Sequence, residues 1–505
     1  MKLFVNCRAY VFDPSLRTYD VHRTFCVDGT TFAWIGEPGA AAGRAQEIVD
    51  LDGATVVPAF ADCHVHLAET GYLLGARDFS AVRDGAAFEQ QVAALPRDVP
   101  YLFAGKLDDA GWPEGAVADP RVLERHHADR YVLIARIDVH SCLVNARTFD
   151  LLELEATLPG IERNSDGRPT GRLSLAANYA AQSRFFERLP ASDRRDAARR
   201  AALAALEGGT VHLHAQLLGL GTRDAYAEEI AAMRDFAGTK IHPKICEREP
   251  AMAASLGLPY IGGDVFLDGS LGSGTAATQA PYCDRAGSGT LLLEDAEVER
   301  YFGESEALGI SAGVHAIGDR AIEQCLSAWE RILGGRPSTR ARHFIEHFEM
   351  ASAAHVARAA RLGLYLSVQP QFDAAWGGEG GMYAARLGNE RMRGMNPLRA
   401  ALAAGATLCG GDDSPVCDLS PLAGMAAACE HRSAEHRLTP LEALTMYAYD
   451  AARFGHAETH TGALRAGYDA DFVVLDRDPF ADGAFARTRV LQTWSDGACV
   501  FAVSA

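Results

Sequence analysis

The sequence predicts an α/β fold: a TIM-like (β/α)8 barrel, a small β-sandwich domain formed by both chain ends, and an inserted lid subdomain. Three observations carry this. Eight short apolar runs each end in polar or metal-capable residues, helical stretches separate most of them, and both chain ends have a different texture of short strands and tight turns.

The chain ends come first. Residues 1–57 contain KLFVNCRAYVF, then HRTFCVDGTTFAWIGEP with a turn at Asp28-Gly29, then EIVDLDGATVV. Strands this short and close suggest an antiparallel module. The stretch DADFVVLDRDPF followed by RVLQTWSDGACVFAVSA has the same character. Residues 462–505 are therefore expected to complete one β-sandwich domain with residues 1–57, and residues 58–461 to form the barrel.

The eight candidate barrel strands are AFADCHVH, GTVHLHAQ, KIHPKICE, GGDVFLDG, SAGVHAIG, RHFIEHF, LYLSVQP and TLCGGDD. Among the helices, RAIEQCLSAWERIL places Ile322, Cys325, Leu326 and Trp329 on one face, with Asp319 at the expected N-cap. About 140 residues separate His66 from the second strand, far beyond an ordinary connection. Residues of about 70–185 are therefore expected to form the inserted lid; they include the β-like run RYVLIARIDVHS and the turn-rich NSDGRPTGR.

Composition narrows the partners. A net charge of -18 over 505 residues argues against nucleic acid or an anionic membrane surface, which a basic face would bind. Asn6, Arg8 and Asp13 interrupt the early apolar run, so no secretory core forms, and no stretch approaches the ~18 apolar residues of a membrane span. The 11 cysteines are scattered, odd in number and without a CxxC pair, which fits a reducing cytoplasmic setting. A small-molecule substrate is expected.

The strand ends carry the chemistry. His64 and His66 are one residue apart in a strand-like run, so their imidazoles share a face and can converge on one cation at about 2.0–2.2 Å. His315 in GVHAIGD, His347 in HFIEHF, Asp412 and Asp413 in CGGDDSP, and Asp264 and Asp268 in GGDVFLDGS end other strands. A barrel gathers all strand C-termini on one rim, where neutral imidazoles and carboxylates suit Zn²⁺ and related divalent ions. A second HxH, His212 and His214, is expected to pack or to hydrogen-bond behind the ligands. Trp112, Phe372 and Trp376 are candidates for an apolar substrate pocket.

On these motifs the chain resembles the metal-dependent amidohydrolase superfamily, and looks most like its YtcJ-like branch, which includes enzymes similar to N-substituted formamide deformylase. PAFADCHVH matches the superfamily pattern PxFxDxHxH. FLDGSLGSGTA at 266–276, PYCD at 281–284, HAIGDRAI at 315–322, IEH at 345–347, GDDSP at 411–415 and RIDVHSCLVNA at 136–146 resemble the branch. ALRAGYDADFVVLDRDP resembles the superfamily's closing strand.

The resemblance implies that His64, His66, His315 and His347 bind metal, and that Asp413 both binds metal and acts as general base. Asp412 is implied to be a neighbour. It implies Asp138 and His140 as substrate-facing residues, a divalent metal, foremost Zn²⁺ with Mn²⁺, Co²⁺ or Fe²⁺ as alternatives, and a homodimer. Asp268 shares a strand face with Asp264, so it is a candidate to face substrate, and before Gly269 it also reads as a turn-former. Where many members carry a strand-4 lysine that bridges two metals, this chain has Asp264, so one ion and two are both open. The implied activity is metal-dependent hydrolysis of a non-peptide C–N bond in an amide, formamide, carbamate or cyclic amide. Alternatives are a deaminase of an amino-substituted heterocycle and a catalytically silent barrel.

Overall fold

Eight parallel strands form the frame of the computed structural model, which describes residues 1–36, 45–97, 99–109, 112–113, 116–136 and 141–503. They are Phe60–Val65, Thr210–Leu217, Lys240–Ile245, Tyr260–Phe266, Ser311–Ala316, Phe344–His347, Tyr365–Val368 and Thr407–Gly410. Each coincides with one of the eight apolar runs. All eight residues of Thr210–Leu217 are buried, as expected of a parallel strand covered on both faces.

The strands pair in two arcs, one ordered third–second–first and one running from the fourth to the eighth. A parallel bridge between Val65 and Ser414 sets the chain beyond the eighth strand beside the first. The fold is thus TIM-barrel-like, but the ladder expected to close fully is interrupted. The third and fourth strands share no ladder among the described residues. Two local features work against one. Pro243 has no N–H to donate, and Gly262 and Gly263 adopt φ of 84° and 102°, outside the extended region.

Contact density divides the chain into two units, Met1–His66 with Ala202–Ala505, and Leu67–Ala201. In the first, the helix Asp319–Leu333 buries Ile322, Cys325, Leu326 and Trp329 together. Its cap differs from expectation. Gly318 takes the N-cap position without a side-chain bond, and the Asp319 carboxylate instead accepts the Gln279 amide at 2.7 Å.

The chain ends share one six-stranded sheet, in which Phe472–Leu475 runs antiparallel to Thr55–Pro58. A four-stranded sheet of Lys2–Val5, Phe25–Asp28, Thr31–Ile35 and Glu47–Asp50 contributes to the same apolar cluster. There Phe4 stacks on Phe25 at 4.6 Å and Phe472 on Trp494 at 5.2 Å.

The second unit has its own six-stranded sheet. Along Tyr131–Arg136, Val132 and Ile134 join one apolar cluster and Leu133 and Ala135 another, the two-residue alternation of a strand buried on both faces. Within NSDGRPTGR, residues 164–168 turn the chain between Ile161–Arg163 and Pro169–Ser174, with the Asn164 side chain accepting the amides of Asp166 and Arg168. All 11 cysteines are free. No helix among the described residues is long and apolar enough to cross a membrane.

Candidate metal centre

Strand ends from around the frame bring six side chains together. His66 Nε2 lies 3.1 Å from Asp413 Oδ1 and 3.2 Å from Asp264 Oδ2. His64 Nε2 lies 3.3 Å and 3.5 Å from the same two oxygens. The His347 ring sits 5.1 Å from that of His64 and 4.4 Å from that of His315. Two overlapping donor sets result, His64–His347–Asp413 and His64–His66–Asp264. Both use His64.

The backbone is bent to achieve this. His347 and Asp413 adopt φ of 72° and 52°, a region that residues with a Cβ seldom enter. Such conformations persist only where surrounding structure holds them. Asp413 is pinned by its N–H donating to the His64 carbonyl at 2.8 Å. His347 ends its strand, so Glu346 and His347 both reach buried polar partners rather than alternating between core and solvent.

A further set of polar groups orients these side chains. Glu346 Oε2 is 2.8 Å from His64 Nδ1. Lys244 Nζ donates to Glu346 Oε1 at 2.5 Å and to the Cys63 carbonyl at 2.7 Å. Gln216 lies 3.0 Å from His64 Nδ1, and the Gln369 carbonyl oxygen 2.8 Å from His347 Nδ1. Asp268 Oδ1 sits 3.4 Å from His315 Nδ1.

The electrostatics call for a cation. Burial opposes charge on His64, but Glu346, Asp264 and Asp413 outweigh it and hold the imidazole pKa well above its ordinary value. Burial likewise opposes charge on His66, yet hydrogen bonds to Asp264 and Asp413 raise it to about 10. Both carboxylates are depressed: burial works against this, and the two histidines overcome it. His347, farther from the carboxylates, is instead lowered to about 3 by burial and the neighbouring His315 and His64. The donor atoms face one another: His64 Nε2 and His66 Nε2 both point at Asp413 Oδ1 and Asp264 Oδ2, while Asp264 Oδ1 is buried without a hydrogen-bond partner. Imidazole nitrogens and carboxylate oxygens brought together in a buried site are the donor set of a divalent metal site, so these residues fit such an ion.

Other expected residues fall elsewhere. Asp268 is fully buried and engaged: it accepts the amides of Ala277 and Gly318 at 2.8 Å and of Ile317 at 3.1 Å. Instead of reaching for substrate, it ties loop backbone to His315. Trp112 is buried within the second unit against Phe88, a packing position. Phe372 stacks over His347 at 5.9 Å, and Trp376 packs on Phe372 at 4.7 Å, so both stand beside the centre. Asp138 and His140 lie outside the described residues. Asp412 is turned away, receiving Gln371 at 3.0 Å and the Ser420 amide at 2.6 Å. His212 and His214 do not ligate: His212 bonds Asp471 at 3.1 Å and His242 at 3.1 Å, while His214 stacks on His242 at 4.6 Å. A third acidic group, Asp469, Asp471 and Asp496, already surrounds the Lys240 ammonium, which is 2.8 Å from each.

Sequence reasoning passed over Glu346, Lys244, Gln216 and Gln369. The one available signal was charge inside apolar strands, in FIEH and KIHPKI.

Comparison with known proteins follows the same line. The amidohydrolase family pattern matches residues 47–501. YtcJ of Bacillus subtilis (strain 168) is 28% identical over 482 residues, covering 86% of this chain and 86% of its own length. N-substituted formamide deformylase of Arthrobacter pascens is 24% identical over 546 residues, covering 96% and 97%. The crystal structure of an uncharacterized metal-dependent hydrolase from Pyrococcus furiosus superposes with a TM-score of 0.80 at 24% identity, covering 95% of this chain and 99% of that one. That likeness is one of fold.

Proposed function

We propose, given that this chain belongs to the amidohydrolase family, that it hydrolyses a non-peptide C–N bond of a small amide, formamide, carbamate or cyclic amide at a divalent metal centre. The observation that carries the reading is the convergence of His64 Nε2 and His66 Nε2 with Asp413 Oδ1 and Asp264 Oδ2 at the ends of strands far apart in sequence. His64, His66, His315, His347 and Asp413 would hold the ion, with Asp264 as a further donor. Zn²⁺ suits this nitrogen-and-oxygen set; the two donor sets share His64, so they cannot both use it at once, and the reading takes one ion or two.

When bound, such an ion polarises the substrate carbonyl and lowers the pKa of water from 15.7 toward ~7. The chain's own residues do the rest. Asp413, kept ionised beside two imidazoles, accepts the attacking water's proton and delivers it to the departing nitrogen. A positioned base of this kind contributes ~10²–10⁴ in rate. Phe372 and Trp376 offer an apolar wall next to His347. The name of the Arthrobacter relative supports a formamide or related amide.

The reading includes a cytoplasmic homodimer. It also takes residues 1–57 and 462–505 as one β-sandwich domain, 58–461 as the hydrolase barrel, and about 70–185 as an inserted lid whose Asp138 and His140 meet substrate.

The test is a screen of formamides, N-acyl amines and carbamates. It uses chelator-stripped protein before and after addition of Zn²⁺, Mn²⁺ or Co²⁺. Metal-restored release of formate or another carboxylate is expected. Ammonia from an amino-substituted heterocycle would redirect the assignment to deamination, and turnover indifferent to every ion would end it.

A further inference from the structure

We infer that Glu346, held in place by Lys244, is the positioning residue that prepares His64 to bind metal. The inference rests on the metal centre proposed above and assigns work to two residues outside its donor set.

Both donor sets use His64, and its Nε2 faces the carboxylates of Asp264 and Asp413. A neutral imidazole can offer Nε2 as a ligand only if its proton sits on Nδ1. Glu346 Oε2, 2.8 Å from Nδ1, is an acceptor that calls for that proton. Gln216 Nε2, 3.0 Å from Nδ1, is a donor and cannot take that proton; it donates to Glu346 Oε1 at 3.4 Å and so buttresses the carboxylate, which of these two neighbours is the acceptor. The ring is thereby held in one tautomer and one orientation.

The ion pair behind it needs a reason. Lys244 and Glu346 are both 0% exposed. A buried pair of charges is commonly no more stabilising than well-packed apolar residues in its place. Here the lysine supplies what Glu346 lacks, a fixed counter-charge that also anchors to the Cys63 carbonyl, one residue before His64. With two acceptors on Nζ, Lys244 is committed to this brace and does not serve as a ligand.

The experiment reads metal rather than turnover. Apo-protein would be titrated with Co²⁺ against a competing chelator, recording affinity and the visible spectrum, with far-UV circular dichroism as the folding check. Glu346→Gln keeps the side-chain shape but removes the obligate acceptor. Its Co²⁺ affinity is expected to fall ~10–100-fold, the usual effect of losing a carboxylate behind a ligating histidine, with an altered spectrum. Lys244→Met strands the Glu346 charge, so Lys244→Met/Glu346→Gln is the deciding variant. It is electrically balanced and expected to fold, yet still to bind Co²⁺ weakly. Wild-type affinity in either Glu346→Gln or the double variant would show that the pair serves charge balance alone and overturn the inference. A wild-type protein that binds no Co²⁺ would instead overturn the metal centre, and this inference with it.

Discussion

Replacing Asp413 by Asn separates the base from the ligand. The carboxylate oxygen sits 3.1 Å and 3.3 Å from two imidazole nitrogens, and the residue adopts φ of 52°. Asn is chosen over Ala because it enters the left-handed region about as readily as Asp, so the turn after the eighth strand keeps its path. The amide retains a carbonyl oxygen as a donor, and His64, His66, His315 and His347 are untouched. Metal content should therefore stay near wild type. What is lost is an oxygen able to take a proton. General-base loss of ~10³ in kcat corresponds to about 4 kcal/mol of barrier, at ~1.36 kcal/mol per decade. The assay is turnover of the best substrate from the screen, with metal content measured on the same preparation. Turnover within a few-fold of wild type at full metal loading would refute the assignment of Asp413 as base.

Three other outcomes follow from the geometry. Asp264→Ala should lower the number of tightly held ions by one if two are bound in the wild type; an unchanged stoichiometry by elemental analysis would remove Asp264 from the donor set. Trp329 is fully buried, stacked on Phe302 at 3.9 Å and against His343 at 3.8 Å, so Trp329→Ala should destabilise by ~3–5 kcal/mol, read as a lower urea midpoint. His343 is lowered from 6.5 to about 4, chiefly by burial, with its bond to Glu306 only partly opposing. A depressed histidine leaves the unfolded chain binding more protons, so its contribution is intact above pH ~6.5 and lost as the pH falls toward 4. The difference of 2.5 gives, at 1.36 each, about 3 kcal/mol. His343→Gln should flatten that part of the stability–pH curve, and an unchanged slope would count against it.

The strands were legible because each is a short apolar run with an abrupt polar end, a pattern that needs no knowledge of its neighbours. The same holds for the helix carrying Ile322, Cys325, Leu326 and Trp329, whose periodicity declares one buried face. The side chains that gather at the centre were legible because His64 and His66 share a motif and the others lie at strand ends. Other features depended on contacts that no local pattern encodes. Asp268 reads as a turn or substrate residue until the amides of Ala277, Ile317 and Gly318 are seen around it. Glu346 gains its meaning from Lys244, 102 residues away. Asp319 looked like a cap, but Gly318 occupies that position and leaves the carboxylate for a distant amide. The interruption between the third and fourth strands was written in Pro243, Gly262 and Gly263, yet their effect appears only when the two strands are brought side by side.

The pairing of Thr55–Pro58 with Phe472–Leu475 has a consequence for biosynthesis. Thr55–Pro58 pairs on one edge with Arg8–Asp13, but Val56 and Val57 emerge from the ribosome more than 400 residues before their partners on the other edge exist. Until translation is nearly finished, that apolar segment presents an unprotected edge able to recruit strands from other nascent chains. A premature stop anywhere before residue 472 would leave the edge permanently open. Nonsense products of this gene are therefore expected to aggregate rather than to persist as shortened enzymes, and a tag-based purification should recover full-length protein only when translation has run past the final strands.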